Sequence, residues 1–394
     1  MTAAPAPADP PPAGPVGLVE RYGLLQRGGG VATALITAAL AFLIGGLVVL
    51  ATGHNPLSAY REIFNGTGLN WLFPWVGGTD RTFAALNLQQ TLIKATPLML
   101  TGLAVAFAFR CGMFNIGGQG QYTVGTITGV WVGSSWAGIP GPAHIVLAIV
   151  LASLAGAFFA GVAGLLKATV GAHEVISTIM LNWVAYYAGS YLFGLGGPLQ
   201  GSQPQVPISN DITTNAHLKV FWGDPILQGL HIGFFIALAA LVAYWVVLNR
   251  TTLGYEVRAV GFNPEAARYG GINVARSYVS AMAISGLFAG LAGAIDILGW
   301  QFRLGQLDVT ASNIGFTGIA VALLGRNTAV GVFFSALLFG GLINGTSGRH
   351  LSADVFPPQL AGNLTYIIQG LIILFIGADV LVLYLWKRFR RKQA

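Results

Sequence analysis

Few residues in this chain could do chemistry, because only 8% of its 394 residues are charged. His173-Glu174 opens the spacing H-E-x-x-H, which holds zinc between two histidines one helical turn apart. Position 177 is Ser177, so the second ligand is missing and the metal reading fails. The phosphate-cradling pattern G-x-x-x-x-G-K-[ST] is absent too, since no lysine follows a glycine. Energy for any uphill work must then come from a partner or a gradient. The His/Asp/Glu clusters or Ser/Lys pairs of a membrane-embedded enzyme are also missing from the apolar runs. What remains is amide chemistry.

The stretch RCGMFNIGGQGQ, Arg110 to Gln121, lies between two apolar runs and carries four glycines. Asn115, Gln119 and Gln121 supply donors and acceptors without fixed charge. Such groups suit a polar, uncharged solute passing by; they equally suit a turn whose amides cap the next helix. Ser177, Thr178 and Asn182 fall on roughly one helical face. They offer either a polar route or interhelical hydrogen bonds. Asp296 lies near the end of an apolar run, where an acid marks a functional site or an interface. Glu174 suits the N-terminus of a helix, and Asp379 offsets a basic tail.

These groups need a scaffold, and the composition says which. The chain is 54% hydrophobic, whereas a soluble domain carries about 25% charged residues. It is an all-α integral membrane protein with one folded membrane unit. A helix crosses the hydrocarbon core in about 20 residues. About ten transmembrane helices are predicted, at 31–51, 86–109, 116–136, 143–166, 174–194, 231–248, 277–299, 311–325, 328–344 and 364–385. The eighth and ninth are short, and half-helices or a re-entrant pair are the alternative. With both termini cytoplasmic, 14 of the 20 basic residues fall inside, as positive-inside placement requires. That placement accounts for the net charge of +7 without nucleic acid. Lys94 lies within the second span and is expected to snorkel.

Residues 1–28 form a Pro/Ala-rich tail expected to be disordered and cytoplasmic. Residues 29–386 form the transmembrane domain, and 387–394 a basic cytoplasmic tail. The single Cys111 excludes an internal disulfide. Two outer segments, 52–85 and 195–230, are long enough to dock an extracytoplasmic partner or to serve as ordinary connections. Glycines spaced as at Gly125/Gly129/Gly133 and Gly286/Gly290 read as helix-packing faces.

The pattern N-I-G-x-x-G occurs at Asn115 and again at Asn313, 198 residues later. Five spans per half would make the second copy run the opposite way through the membrane. Two inverted five-helix repeats are a common transporter plan, with the site where the halves meet. Asn313 therefore joins the candidate pore residues. A gradient-driven secondary transporter or channel would share that plan. It would need intramembrane ionisable groups, in which the chain is poor.

The loop 251–277 is the most charged interior segment. Asn263-Pro264 reads as N-cap and first helical residue, and Gly270-Gly271 as the stop. The short helix Pro264–Tyr269 would present Ala266 and Ala267, with Arg268 and Tyr269 beside them. It is either a knob for a cytosolic partner or a solvated loop.

Four stretches carry a resemblance: TPLMLTGLAVAFAFRCGMFNIGGQGQ, HEVISTIMLNWVAYY, VRAVGFNPEAARYGGI and GFTGIAVALLGRN. Together they resemble the permease subunit of a bacterial ABC importer, across residues 30–385. The nearest group is the nucleoside (simple-sugar-like) permeases that work with a basic-membrane-protein-type lipoprotein. The resemblance implies a bacterial cell-membrane protein that forms half of a pore for nucleosides. Simple sugars or branched-chain amino acids are the alternatives. It implies a second homologous permease subunit, a cytosolic ABC ATPase and an extracytoplasmic solute-binding lipoprotein. ATP and magnesium would belong to the ATPase, with no cofactor bound by this chain. It assigns Gly261, Asn263, Pro264, Glu265, Ala266, Ala267, Arg268, Tyr269 and Gly270 to a coupling helix on the ATPase. Many relatives carry Glu where this chain has Gln119.

Overall fold

The computed structural model describes residues 30–136, 138–347 and 357–377. The predicted tails, 1–28 and 387–394, and Asp379 lie outside the described residues. The chain folds into α1 (Gly30–Ala51), α2 (Pro56–Thr67), α3 (Gly78–Arg110), α4 (Gly118–Ser135), α5 (Gly141–Val170), α6 (Glu174–Phe193), α7 (Gly233–Arg250), α8 (Thr252–Phe262), α9 (Pro264–Tyr269), α10 (Val274–Asp296), α11 (Gln306–Ala311), α12 (Ile314–Leu324), α13 (Ala329–Gly345) and α14 (Pro358–Gly377). Over its described residues each predicted span coincides with a helix, and 378–385 of the tenth lie outside them. The all-helical expectation needs one correction. Within 195–230, β1 (Val220–Trp222) and β2 (Leu230–His231) pair as a small antiparallel ribbon.

Among the described residues, five helical stretches are long and apolar enough to cross a membrane: Gly78–Arg110, Gly141–Val170, Gly233–Arg250, Val274–Gln301 and Gln306–Leu324. Helices α4 and α6 have 18 and 20 residues but carry polar groups, because part of their surface meets protein rather than lipid. Helix α12 has 11 residues and rises only about 16 Å, against a hydrocarbon core of roughly 30 Å. It begins at an interruption, Ser312-Asn313, inside the fifth stretch.

Two helices form the core. Residues 95–108 of α3 are all buried, as are 288–296 of α10, so both are apolar on every face. Helices α12 and α13 pack on α3, whereas α4 and α5 pack on α10. Between helices in lipid the attraction is close packing, which small residues permit. A Cβ on Gly286 would lie 2.2 Å from the Gly156 carbonyl oxygen, and one on Gly290 would lie 2.4 Å from that of Ala152. The α5–α10 crossing is therefore backbone against backbone.

Candidate functional site

Helix α3 ends at Arg110, and the chain doubles back through 111–117. Gly112 takes φ 72° in the turn. Gly118 then starts α4 beside Val105, within the bundle. Irregular backbone survives at that depth only where protein satisfies its polar groups, and the predicted amides do so. Asn115 Nδ2 donates to Gln121 Oε1 (2.8 Å) and to Ser285 Oγ (2.7 Å). Gln121 Nε2 donates back to Asn115 Oδ1 (2.9 Å), and Ser285 Oγ donates to the Ala104 carbonyl. This clasp ties α3, α4 and α10 together. From α6, Asn182 accepts from Gly120 N–H (2.8 Å) and donates to the Ile116 carbonyl (3.0 Å). It thus caps α4 with a side chain from another helix.

The structure brings Asn115, Gln119, Gln121 and Asn182 together and leaves two predicted residues apart. Ser177 is half-buried and bonds only to the His173 carbonyl, 3.3 Å away on its own helix. Asn313 is exposed on the far side of the junction. Asn115 and Gln121 are at most 1% exposed; their polar atoms meet each other rather than open space. Gln119 links the two copies of the repeated pattern. Its Oε1 accepts from Gly315 N–H at 2.8 Å, while its Nε2 is buried with no partner.

The open space lies at the second copy. A cavity of about 640 Å³ is bounded by Lys94 and Pro97 of α3, Asp296 and Trp300 at the end of α10, Asn313, and Gln369 of α14. Asp296 is 1% exposed, which corrects the interfacial alternative. It accepts from Tyr122 Oη, Trp300 Nε1 and Gln301 Nε2. Lys94 does not simply reach for water: its ammonium lies 4.3 Å from the Trp300 ring centre. Single-residue reading missed this cluster. The available signal was one base and one acid, each set inside an apolar run, where isolated charges are costly.

Past Asp296 the chain winds into one π turn, Ile297–Gln301, a form frequent at functional sites. Phe302 follows at φ 59°, its ring stacked on His217 at 4.1 Å. The long segment 195–230 is laced across this stretch. Ser209 N–H donates to the Leu304 carbonyl, Ile212 to Phe302 and Leu218 to Leu298, all within 2.9 Å. His231 supports the turn from behind, since a Cβ on Gly299 would meet its ring at 2.3 Å. Burial pulls the pKa of that imidazole down to about 4.

The other end of the bundle carries the charged loop. Asn263 caps α9, accepting from Glu265 and Ala266 N–H. Gly270 and Gly271 end it, with Gly271 at φ 84°. The predicted Ala266/Ala267 patch needs correcting: Ala267 is 6% exposed and faces inward. Phe262 and Tyr269, 91% and 95% exposed, are what this end displays. Gly261 packs on the Arg110 carbonyl, where a Cβ would come within 2.3 Å. Arg110 in turn donates twice to the Asn327 carbonyl (2.8 and 3.1 Å), which also accepts from Tyr244 Oη. Arg326 and Asn327 both take left-handed φ there, 51° and 53°. Glu174, nearly buried, is paired with Lys167 at 2.7 Å.

A family profile described as "Branched-chain amino acid transport system / permease component" matches residues 87–377. The chain is 37% identical to the guanosine ABC transporter permease protein NupP of Bacillus subtilis, over 91% of its length and 97% of that protein's. It is 33% identical to the nucleoside ABC transporter permease protein NupB of Lactococcus lactis, over 89% and 92%. It is 35% identical to the glucose ABC transporter permease protein TsgB13 of Haloferax volcanii, over 87% and 86%. No solved structure gives a significant match.

Proposed function

The chain belongs to the permease-component family of ABC transporters, and from that premise we propose that it imports nucleosides as half of a pore driven by a separate ATPase. The observation that carries this reading is α9. This capped six-residue helix ends on Tyr269, and α8 ends just before it on Phe262, so the two helices together display two aromatic rings, 95% and 91% exposed. Solvent gives no reason to expose Phe262 and Tyr269, whereas a cytosolic ATPase groove does. Glu265, Ala266 and Arg268 flank the rings as its polar and small contacts.

The rest of the architecture fits. Helices α3–α6 and the set α10, α12, α13 and α14 form two inverted repeats in this reading. It is supported by crossed packing, each third span lying on the other half's core helix. Arg110, Arg258, Arg276 and Arg326 lie at or beside the α9 end, which makes that end cytoplasmic and both termini with it. The membrane is then the bacterial cell membrane. The opposite end, where 195–230 is laced over the π turn, receives the solute-binding lipoprotein. A second homologous permease completes the pore; ATP and magnesium stay with the ATPase.

Motion has a short path. Force on α9 passes through α8 to the Gly261–Arg110 contact, then to the α12–α13 turn that Arg110 clasps at Asn327. The pore residues divide accordingly. Asn115, Gln121 and Asn182 hold the joint, while Gln119 and Asn313 border the moving path.

The test is Phe262→Ala with Tyr269→Ala in the reconstituted complex. Both are exposed, so the fold should survive. Nucleoside uptake and solute-stimulated ATP hydrolysis should fall together by about tenfold or more, as for an interface hot spot of about 1.4 kcal/mol or above. Unchanged uptake removes α9 as the coupling element. Uptake that persists without any ATPase favours a gradient-driven carrier instead.

A further inference from the structure

The cavity at the second N-I-G copy is where a solute can be held within the membrane. We propose that it is the intramembrane solute site and that it selects a neutral molecule bearing both a flat ring and hydroxyl groups, a nucleoside; this rests on the importer reading above.

Three features carry the inference. The first is depth and size. Lys94 lies 16 residues before Arg110, about 24 Å along the helix, so the cavity sits within the bilayer and not on its surface. Its roughly 640 Å³ falls in the range of small-molecule sites.

The second is charge. Among the described residues that line the cavity are one cation, Lys94, and two carboxylates, Asp296 and Asp308. Asp296 is saturated by three donors, and Asp308 accepts from Gly305 N–H at 2.8 Å. Lys94 already stands over Trp300 and near Asp296. A phosphate or carboxylate entering here finds no excess of positive charge among these groups, since the one ammonium is already engaged by Trp300 and lies near Asp296. Anionic solutes are excluded and neutral ones accepted.

The third is shape chemistry. Trp300 and Tyr366 supply aromatic surface, and Asn313, Gln369 and Thr317 supply uncharged donors and acceptors. Flat rings bind a base by stacking, and amides and hydroxyls bind sugar hydroxyls and base edges. A hexose has no planar ring to stack and offers such a wall only a C–H face. Asp296 acts through Trp300 and Gln301: by holding both side chains it fixes the wall against which the ring lies, as a positioning residue.

Cys111 is the chain's one cysteine, so Cys111→Ala gives a cysteine-free background. In the assembled importer, Asn313→Cys on that background should react with a small polar thiol reagent. Guanosine should slow the reaction about tenfold at concentrations that saturate uptake, while guanosine monophosphate and glucose should not. In the native background, Trp300→Ala should raise the uptake KM for guanosine about tenfold, and Trp300→Phe by much less, from the loss and retention of stacking surface. The affinity of the isolated binding protein is untouched by either. Guanosine uptake without protection at Asn313→Cys, together with an unchanged KM in Trp300→Ala, overturns the cavity assignment while leaving the importer reading standing. Protection by glucose or by the monophosphate overturns the solute class. Absence of uptake of any nucleoside by the unaltered complex overturns the importer reading, and this inference with it.

Discussion

The same six-position pattern, N-I-G-x-x-G, starts α4 and α12, yet the two copies live in opposite surroundings. Asn115 has no exposure and is clasped by Gln121 and Ser285. Asn313 is exposed on a cavity wall. The first copy is shut because α10 runs against α4 without a break and brings Ser285 within reach. At the second copy the π turn and the irregular residues 302–305 draw the backbone aside and leave space. A repeat conserves the backbone path, and the neighbours decide whether a polar residue becomes glue or lining. Only one face of the junction between the halves is then available to a solute.

The strongest way to break this contrast is to push α10, which closes the first copy, off its other neighbour α5. Gly286→Leu places a side chain where a single Cβ would already meet the Gly156 carbonyl at 2.2 Å. Overpacking a core typically costs about 1–3 kcal/mol, and here the cost should exceed that range because the obstacle is backbone, which cannot rotate away. No folded, monodisperse protein is expected by size exclusion in detergent. Gly161→Leu, on the same helix α5 with nothing within 4 Å, should give normal yield.

The open copy has its own weak point in pH. His231 sits behind the π turn with a pKa near 4, against about 6.5 for an exposed imidazole. The folded state therefore favours the neutral ring. This contribution is complete above pH 6.5 and is lost as pH falls from about 6.5 towards 4. The loss reaches about 3 kcal/mol at the lower limit. Melting temperature should drop across that window. His231→Asn keeps an acceptor for Gly233 N–H, which now bonds to Nδ1 at 3.2 Å. It should lower the starting value but flatten the imidazole's share of the pH slope.

A sharper and smaller test sets the two asparagines side by side. Asn115→Ala strands Gln121 in a buried site, at a cost of roughly 2 kcal/mol, seen as a lower melting temperature. Asn313→Ala touches no buried partner and should change stability by less than about 0.5 kcal/mol, yet slow uptake. If both behave alike, the two copies do the same job and the contrast is false.

Much of this was legible in the residues. Each predicted span is largely helical over its described residues, because long apolar runs in a chain with so few charges have no other stable form. The cap at Asn263 and the stop at Gly270 were readable from local chemistry, since both act within one turn. The burial of Ala267 was not, because a six-residue helix has too short a period to show its inner face. Asn115 and Gln121 were recognisable as unusual, but the bond from Asn115 to Ser285 spans 170 residues, and no local pattern encodes that meeting. Asp296 was misplaced for a similar reason. Counting residues from the end of a span locates an acid along the helix axis, and says nothing of Tyr122 arriving from α4 to cover it.

The finest probe is Gln119, a side chain of the first copy that bonds the second. Its Oε1 holds Gly315 N–H at the head of α12, and its Nε2 is buried unpaired. Gln119→Ala strands the Gly315 N–H and should cost about 1–2 kcal/mol. Gln119→Glu keeps the acceptor and removes the orphaned donor. A carboxylate at a helix N-terminus gains about 0.3–1 kcal/mol from the axial dipole, which works against the cost of placing charge in a buried site. The burial cost is much the larger, and the acid avoids it by keeping its proton; the neutral acid still offers Gly315 N–H an acceptor, so melting should shift by no more than about 1 kcal/mol equivalent. Transport is the discriminating readout. If the contact is only a tie between the copies, Gln119→Glu should import as the unaltered chain does. A changed preference between neutral and cationic solutes would mean that this side chain meets the path, and that the shut copy opens during the cycle.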